Sequence, residues 1–221
     1  MPWPYDRATL LIEPALHRPV FQGDLFEGVP IVKARAGDVP PESDPKLSTD
    51  RRVAMVIGYP CDIYDHGRLI KVQTVATLRE GSKLGVPEDW DGAYHSCPLA
   101  DPFDDGVLWA VDFLALSPVD RAYFEPQRRI ASLSEIGLAH LRQRLVLYAT
   151  RLRIPVEEVL ASGQSLWDEI GLWDSWCAAK NPPEGFAAWL DEFDAGLRVT
   201  RRDALEAGRP QELLGRIPTH G

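Results

Sequence analysis

Hydrophobic and polar positions change their period once along the chain. From Val20 to about Leu133, short apolar runs rich in Val, Ile and aromatic residues are broken by clusters of Gly, Pro and Asp, the pattern of strands joined by turns. Strands are expected at Val20–Phe26, Val29–Ala34, Arg52–Tyr59, Arg68–Leu78, Val107–Leu116 and Tyr123–Ile130. Runs such as AMVIG and VLWAVDFLAL are continuous rather than alternating, so both faces are expected to be covered, and a small closed barrel is the economical arrangement. Two long connections interrupt the strands. The first, 35–50, is polar and rich in proline and reads as a loop outside the core. The second, 80–106, gathers Glu88, Asp89, Asp91, Asp101, Asp104 and Asp105; such acids can bind a cation or a basic partner, but a solvated loop is the preferred reading.

From Ser132 onward the period becomes helical. Ser132 and Glu135 have capping-box spacing, and Leu138, Leu141, Leu145, Tyr148 and Leu152 follow at intervals of three and four until Pro155. The opposite face holds His140, Arg142, Arg144, Arg151 and Arg153, the densest positive charge in the chain, and is read as a solvated face before one that meets RNA phosphates or an acidic partner. Further helices are expected where Leu166, Ile170, Trp173 and Cys177 share a face, and again along Phe186, Trp189 or Leu190, Phe193 and Leu197, with Pro183 and Pro210 in first-turn positions. Four of the seven Trp lie in this part, and a Trp-rich face reads as core or dimer contact rather than a cofactor box. The expected organisation is α+β: an arm over 1–19, a β-barrel with a closing helix over 20–152, and a helical extension over 153–221.

Composition limits the partners. The 221 residues carry a net charge of −9 spread over both halves, so a nucleic-acid site has to be a local patch. No run approaches the ~20 apolar residues of a membrane span, and the start has no basic-then-apolar leader, so a cytoplasmic location is expected. Cys61, Cys97 and Cys177 form no C-x-x-C pair, which fits a reducing compartment. Phosphate-loop, dinucleotide, zinc-protease and nucleophile-elbow motifs are missing from the sequence, and the five His have no partner at i+3 or i+4; neither a cofactor nor a metal is supported.

Three pieces, QGDLFEG (22–28), RRVAMVIGYPCDI (51–63) and RLIKVQTVATL (68–78), resemble the opening of the PemK/MazF family: a strand bearing a Gly-Asp pair, a variable loop, an Arg-led apolar strand, then a strand ending near a Thr or Ser. RRIASLSEIGLAHLRQRL (128–145) resembles the closing strand and C-terminal helix of that family. The resemblance covers about residues 20–152. It implies an SH3-like barrel packed with a helix, often dimeric, and a metal-independent endoribonuclease of the toxin type, neutralised by an antitoxin. Attack by a ribose 2′-hydroxyl needs a base, an acid for the leaving 5′-oxygen, and donors for the phosphorane charge.

By position Arg52 matches the family's Arg, and Thr74 or Thr77 its Thr, the strand register deciding which. Asp62, Asp65 and His66 lie where acid or base groups beside Arg52 would be needed, although a polar hairpin turn is the preferred reading of that stretch. Two departures stand out: Val53 occupies the position usually held by Pro, and nearly seventy residues follow the usual end. Two functions follow. One is an RNA-cleaving toxin with single-stranded RNA, an antitoxin and a second copy of itself as partners. The other is a non-catalytic barrel of the same ancestry, of phage or mobile-element type, that binds another protein.

Overall fold

The computed structural model describes residues 6–13, 18–35, 46–59, 63–65, 68–84, 93–182 and 185–219. Its centre is an antiparallel sheet of seven strands: β1 (Leu11–Ile12), β2 (Asp24–Arg35), β3 (Lys46–Val56), β6 (Val72–Glu80), β7 (Ser96–Ala100), β8 (Leu108–Asp120) and β9 (Arg129–Leu133). A small hairpin of β4 (Tyr64–Asp65) and β5 (Arg68–Leu69) leads into β6. The spatial order is β1-β9-β2-β3-β6-β8-β7, an open series with β1 and β7 at its edges. Among the described residues the sheet is therefore not closed, in contrast to the barrel expected from the continuous apolar runs.

The run AMVIG in β3 is covered over most of its length, whereas VLWAVDFLAL is buried only over Ala110–Phe113, with Val107, Leu114 and Leu116 exposed. One face carries Leu25, Met55, Ala76, Val111 and Phe113 under Leu138 and Leu141 of α2 (Glu135–Thr150). The other carries Phe26, Val29, Val56 and Val75 under Val20, Ile63 and Phe124. The strands not expected from the sequence include the short β1 and β4 and also β7, whose SCPLA lies in the second long connection, while the strand expected at Tyr123–Ile130 is two 3-10 turns followed by β9; five residues with a Pro give little periodicity to read.

The α2 helix is capped two residues later than expected. Ser134, not Ser132, is the N-cap, accepting from the Gly137 N–H at 3.0 Å. Ser132 belongs to β9, and its hydroxyl donates to Asp24 at 2.7 Å. A short α1 (Arg7–Leu10), capped by Asp6, packs against α2 so closely that a side chain at Gly137 would lie 2.3 Å from the Leu10 carbonyl oxygen. The helix ends at Thr150, with Arg151 left-handed at φ 64°, so Leu152 is 66% exposed rather than part of the apolar stripe.

After α2 come α3 (Val156–Ala178), α4 (Phe186–Asp191), a two-residue pairing of β10 (Phe193–Asp194) with β11 (Val199–Thr200), α5 (Arg201–Glu206) and α6 (Pro210–Leu214). Trp173, Trp176, Phe186 and Trp189 form one aromatic core, with Trp173 stacked on Phe186 at 5.3 Å. That core is shared with the sheet's own chain: Phe21 meets Trp173 edge-on at 5.8 Å, and Tyr64 lies 5.1 Å from the same indole. Burial pushes the Tyr64 phenol well above its usual range, and its oxygen accepts from the Val20 N–H at 2.9 Å. Phe193, expected on the helical face, instead begins β10 and is 66% exposed. Among the described residues no helix is long and apolar enough to cross a membrane.

Candidate functional site

The Gly-Asp pair of the first motif forms a buried ionic knot. Asp24 is fully withdrawn from water and receives Arg18 Nη2, Arg129 Nε at 3.3 Å, the Ser132 hydroxyl and the Phe21 N–H at 2.9 Å. A buried carboxylate survives only with this many donors around it. The carboxylate's donors all come from the protein, and the knot joins β2, β9 and the segment before β2 largely out of reach of solvent.

The accessible chemistry lies elsewhere on the sheet. Residues directly opposite one another in neighbouring strands share a face, and the register Ala54↔Thr77↔Asp112↔Ser96 runs a single row across β3, β6, β8 and β7. Arg52, two residues before Ala54, and Arg79, two after Thr77, project from this same face. Here β8 makes a wide bulge: Ala76 pairs with Leu116, but the next residue, Thr77, pairs with Asp112. Phe113, Leu114 and Ala115 are thereby looped out, a device common beside sites. The bulge is held by the Leu114 N–H donating to Asp112 Oδ1 at 3.0 Å and by the Phe113 N–H donating to the His95 carbonyl at 2.9 Å.

The result is a cleft of about 710 Å³ whose lining includes Arg52, Thr77, Arg79, Asp112, Leu116 and Ser117. Arg79 Nη1 donates to Asp112 Oδ2 at 2.9 Å; the carboxylate side chain is 3% exposed and the guanidinium 45%. Asp112 thus anchors a cation whose outer edge faces solvent. Arg52 is paired with Asp50 at 3.1 Å, both about 40% exposed, a surface contact of the kind that contributes less than ~1 kcal/mol and yields readily to a ligand. Lys83 stands at the rim, bonded to Glu80 at 2.5 Å.

Of the two threonines, the register puts Thr77 on the face of Arg52. Thr77 is 3% exposed and borders the cleft, whereas Thr74, three residues earlier, is exposed on the opposite face. Asp62 and His66, with Cys61, lie outside the described residues. Arg79 and Asp112 were not singled out from the sequence. Their signals were present: an acid in the middle of the apolar run VLWAVDFLAL, and an Arg at the same strand parity as Thr77.

Of the basic face assigned to α2, His140 is buried and Arg142 and Arg144 are half-buried, while Arg151 and Arg153 lie past the helix end and are exposed. Arg142 donates to the Gln22 side chain at 3.0 Å, and Arg151 lies 3.7 Å over the Tyr94 ring. His140 is 5% exposed, and burial, with help from Arg144, lowers its pKa to about 4. Of the acidic loop, Asp101 accepts from the Asp105 and Gly106 N–H groups at 2.7 and 3.0 Å, and Asp105 from Val107 at 3.0 Å, so these acids build a turn. Burial pushes the Cys97 thiol up to about 12, which leaves it protonated and inert. Among the described residues no three His, Cys, Asp or Glu side chains are grouped to hold a metal.

No family model matches the chain, and no curated protein matches it at a significant level.

Proposed function

We propose that this cleft binds the backbone of single-stranded RNA and cleaves it in the manner of a PemK/MazF-type endoribonuclease. The observation that carries the reading is the convergence of Arg52, Thr77 and Arg79 on one cleft, with Asp112 beneath Arg79. In such a reaction the 2′-oxygen bonds to phosphorus and the bond to O5′ breaks. The 2′ proton goes to a base, and O5′ gains a proton from an acid. Arg52 and Arg79 would take the charge that grows on the phosphorane, and the Thr77 hydroxyl would add a donor. Asp62 and His66 are the proton-transfer groups the sequence offers. The accompanying fold reading is a PemK-like, SH3-like barrel: an antiparallel sheet curled by bulges in β2, β8 and β9, with a helix after its last strand, supports it. An antitoxin, a second copy of the chain and a cytoplasmic setting belong to the same proposal.

A specific observation favours a second reading. Leu114 and Leu116 at the bulge are 69% and 45% exposed, apolar surface of the kind that marks a protein contact. On that reading the cleft is a non-catalytic binding site for a protein segment. Inducible expression of wild type, Arg52→Ala and Arg79→Ala in a bacterial host, with growth recorded and RNA 5′ ends mapped, separates the two. Growth arrest with new ends, lost in both variants, supports the nuclease. Normal growth, or arrest without new ends in all three, overturns it in favour of the binder.

A further inference from the structure

A second cationic site lies on the sheet away from the cleft. Gly28 stands where β2 parts from β9: the ladder to β9 ends at Phe26, and the pairing with β3 shifts register between Phe26 and Val29. With φ +66° it adopts the left-handed conformation that glycine takes without strain, and its missing side chain leaves a space. Two guanidinium ends converge there. A side chain at Gly28 would come within 3.5 Å of Arg128 Nη1 and 3.9 Å of Arg51 Nη1, so both donors lie within 4 Å of one point. Arg51 Nη1 is steadied by the Gly28 carbonyl at 3.2 Å, and Arg128 Nε by Glu125 at 3.2 Å. Among the described residues Glu125 is the sole carboxylate paired with either arginine. Two cations drawn together in a chain of net charge −9 are a local exception that self-repulsion opposes.

We infer that Arg51, Arg128 and the space over Gly28 form a binding site for a phosphate-type oxyanion. Planar guanidinium forks suit tetrahedral oxyanions, and a ligand carrying negative charge between them relieves their repulsion. Arg51 follows the opposite strand parity from Arg52, so the site faces away from the cleft. The anion belongs either to an RNA backbone that continues past the cleft or to a free phosphate group; this last choice alone rests on the nuclease reading.

Inorganic phosphate is titrated into the full chain while NMR follows the Gly28 amide and the Nε–H signals of Arg51 and Arg128. Saturable shifts are expected in wild type. They should weaken at least tenfold in Arg51→Gln/Arg128→Gln and in Gly28→Asn, which keeps the left-handed backbone but fills the space; unmoved signals elsewhere show that each variant is folded. Shifts that are absent, equal in the variants, or reproduced by chloride at the same ionic strength overturn the site. A second titration uses an RNA oligonucleotide of about 12 residues, within the usual span of a single-strand site. Binding weakened several-fold by Arg51→Gln/Arg128→Gln identifies the anion as RNA backbone; unchanged RNA binding alongside lost phosphate binding identifies a free phosphate group. Because inorganic phosphate needs no cleft, loss of RNA cleavage in Arg52→Ala with phosphate binding intact separates this site from the nuclease.

Discussion

Asp24 accepts a hydrogen bond from the Ser132 hydroxyl at 2.7 Å, and neither residue has any exposed surface. The pair sits in register across β2 and β9, beneath Arg18 and Arg129. Asp24→Ala leaves two buried guanidiniums without their counter-charge and is expected to cost roughly 3–5 kcal/mol, whereas Ser132→Ala removes one donor of several and costs about 1–3 kcal/mol. Urea denaturation of the two variants checks the order; a smaller loss for Asp24→Ala than for Ser132→Ala would contradict the role given to the knot.

This knot marks the boundary of what the chain discloses. The strands β2, β3, β6 and β8 and the helix α2 were legible because their apolar positions recur with a period, and Pro210 does open α6. Asp24 read as part of a family motif, but its burial depends on Arg129, more than a hundred residues away, which no local pattern reveals. Thr77 could not be chosen over Thr74 until the ladder fixed the register, and Asp112 needed the bulge that turns it under Arg79. The Ser132 cap failed for a related reason: Ser132 and Ser134 offer similar hydroxyls, and tertiary pairing gave one to Asp24 and the other to α2.

Gly137 gives an inverted propensity test. In an exposed helix Gly→Ala gains about 1 kcal/mol. Here the added methyl would lie 2.3 Å from the Leu10 backbone oxygen and 3.1 Å from the Leu133 side chain. Overpacking of about 1–3 kcal/mol outweighs the propensity gain, so Gly137→Ala is expected to lower the urea midpoint. A raised midpoint would mean that α1 moves aside at little cost.

His140 supplies a pH dependence. Burial, then Arg144, brings its folded pKa down from 6.5 to about 4, with Glu157 opposing. Between those values the unfolded chain binds the proton and the folded chain does not, so stability rises with pH across the window. The contribution is complete above about 6.5 and is lost as pH falls toward 4. Melting temperatures of wild type and His140→Gln, compared from pH 7.5 to 4, should converge or cross as the pH drops, because Gln has no proton to gain. Parallel curves would remove His140 from the acid response.

Asp112 has two opposed effects on the cleft, and they fall on different observables. Its negative charge repels a phosphate, while its 2.9 Å contact holds Arg79 in one orientation. Asp112→Asn keeps an acceptor for the Leu114 N–H and so preserves the bulge, but removes the charge and loosens Arg79. On the nuclease proposal, RNA binding should therefore stay level or tighten by a few-fold, since the local field becomes more positive. Cleavage should slow by at least tenfold, since an unanchored guanidinium must be ordered again in each transition state. Single-turnover rates and equilibrium binding of the same oligonucleotide separate the two effects. Slower cleavage with undiminished affinity fits an Asp112 that positions Arg79, whereas parallel loss of both would mean that the substitution had collapsed the bulge. Unchanged cleavage would place the reacting phosphate away from Arg79.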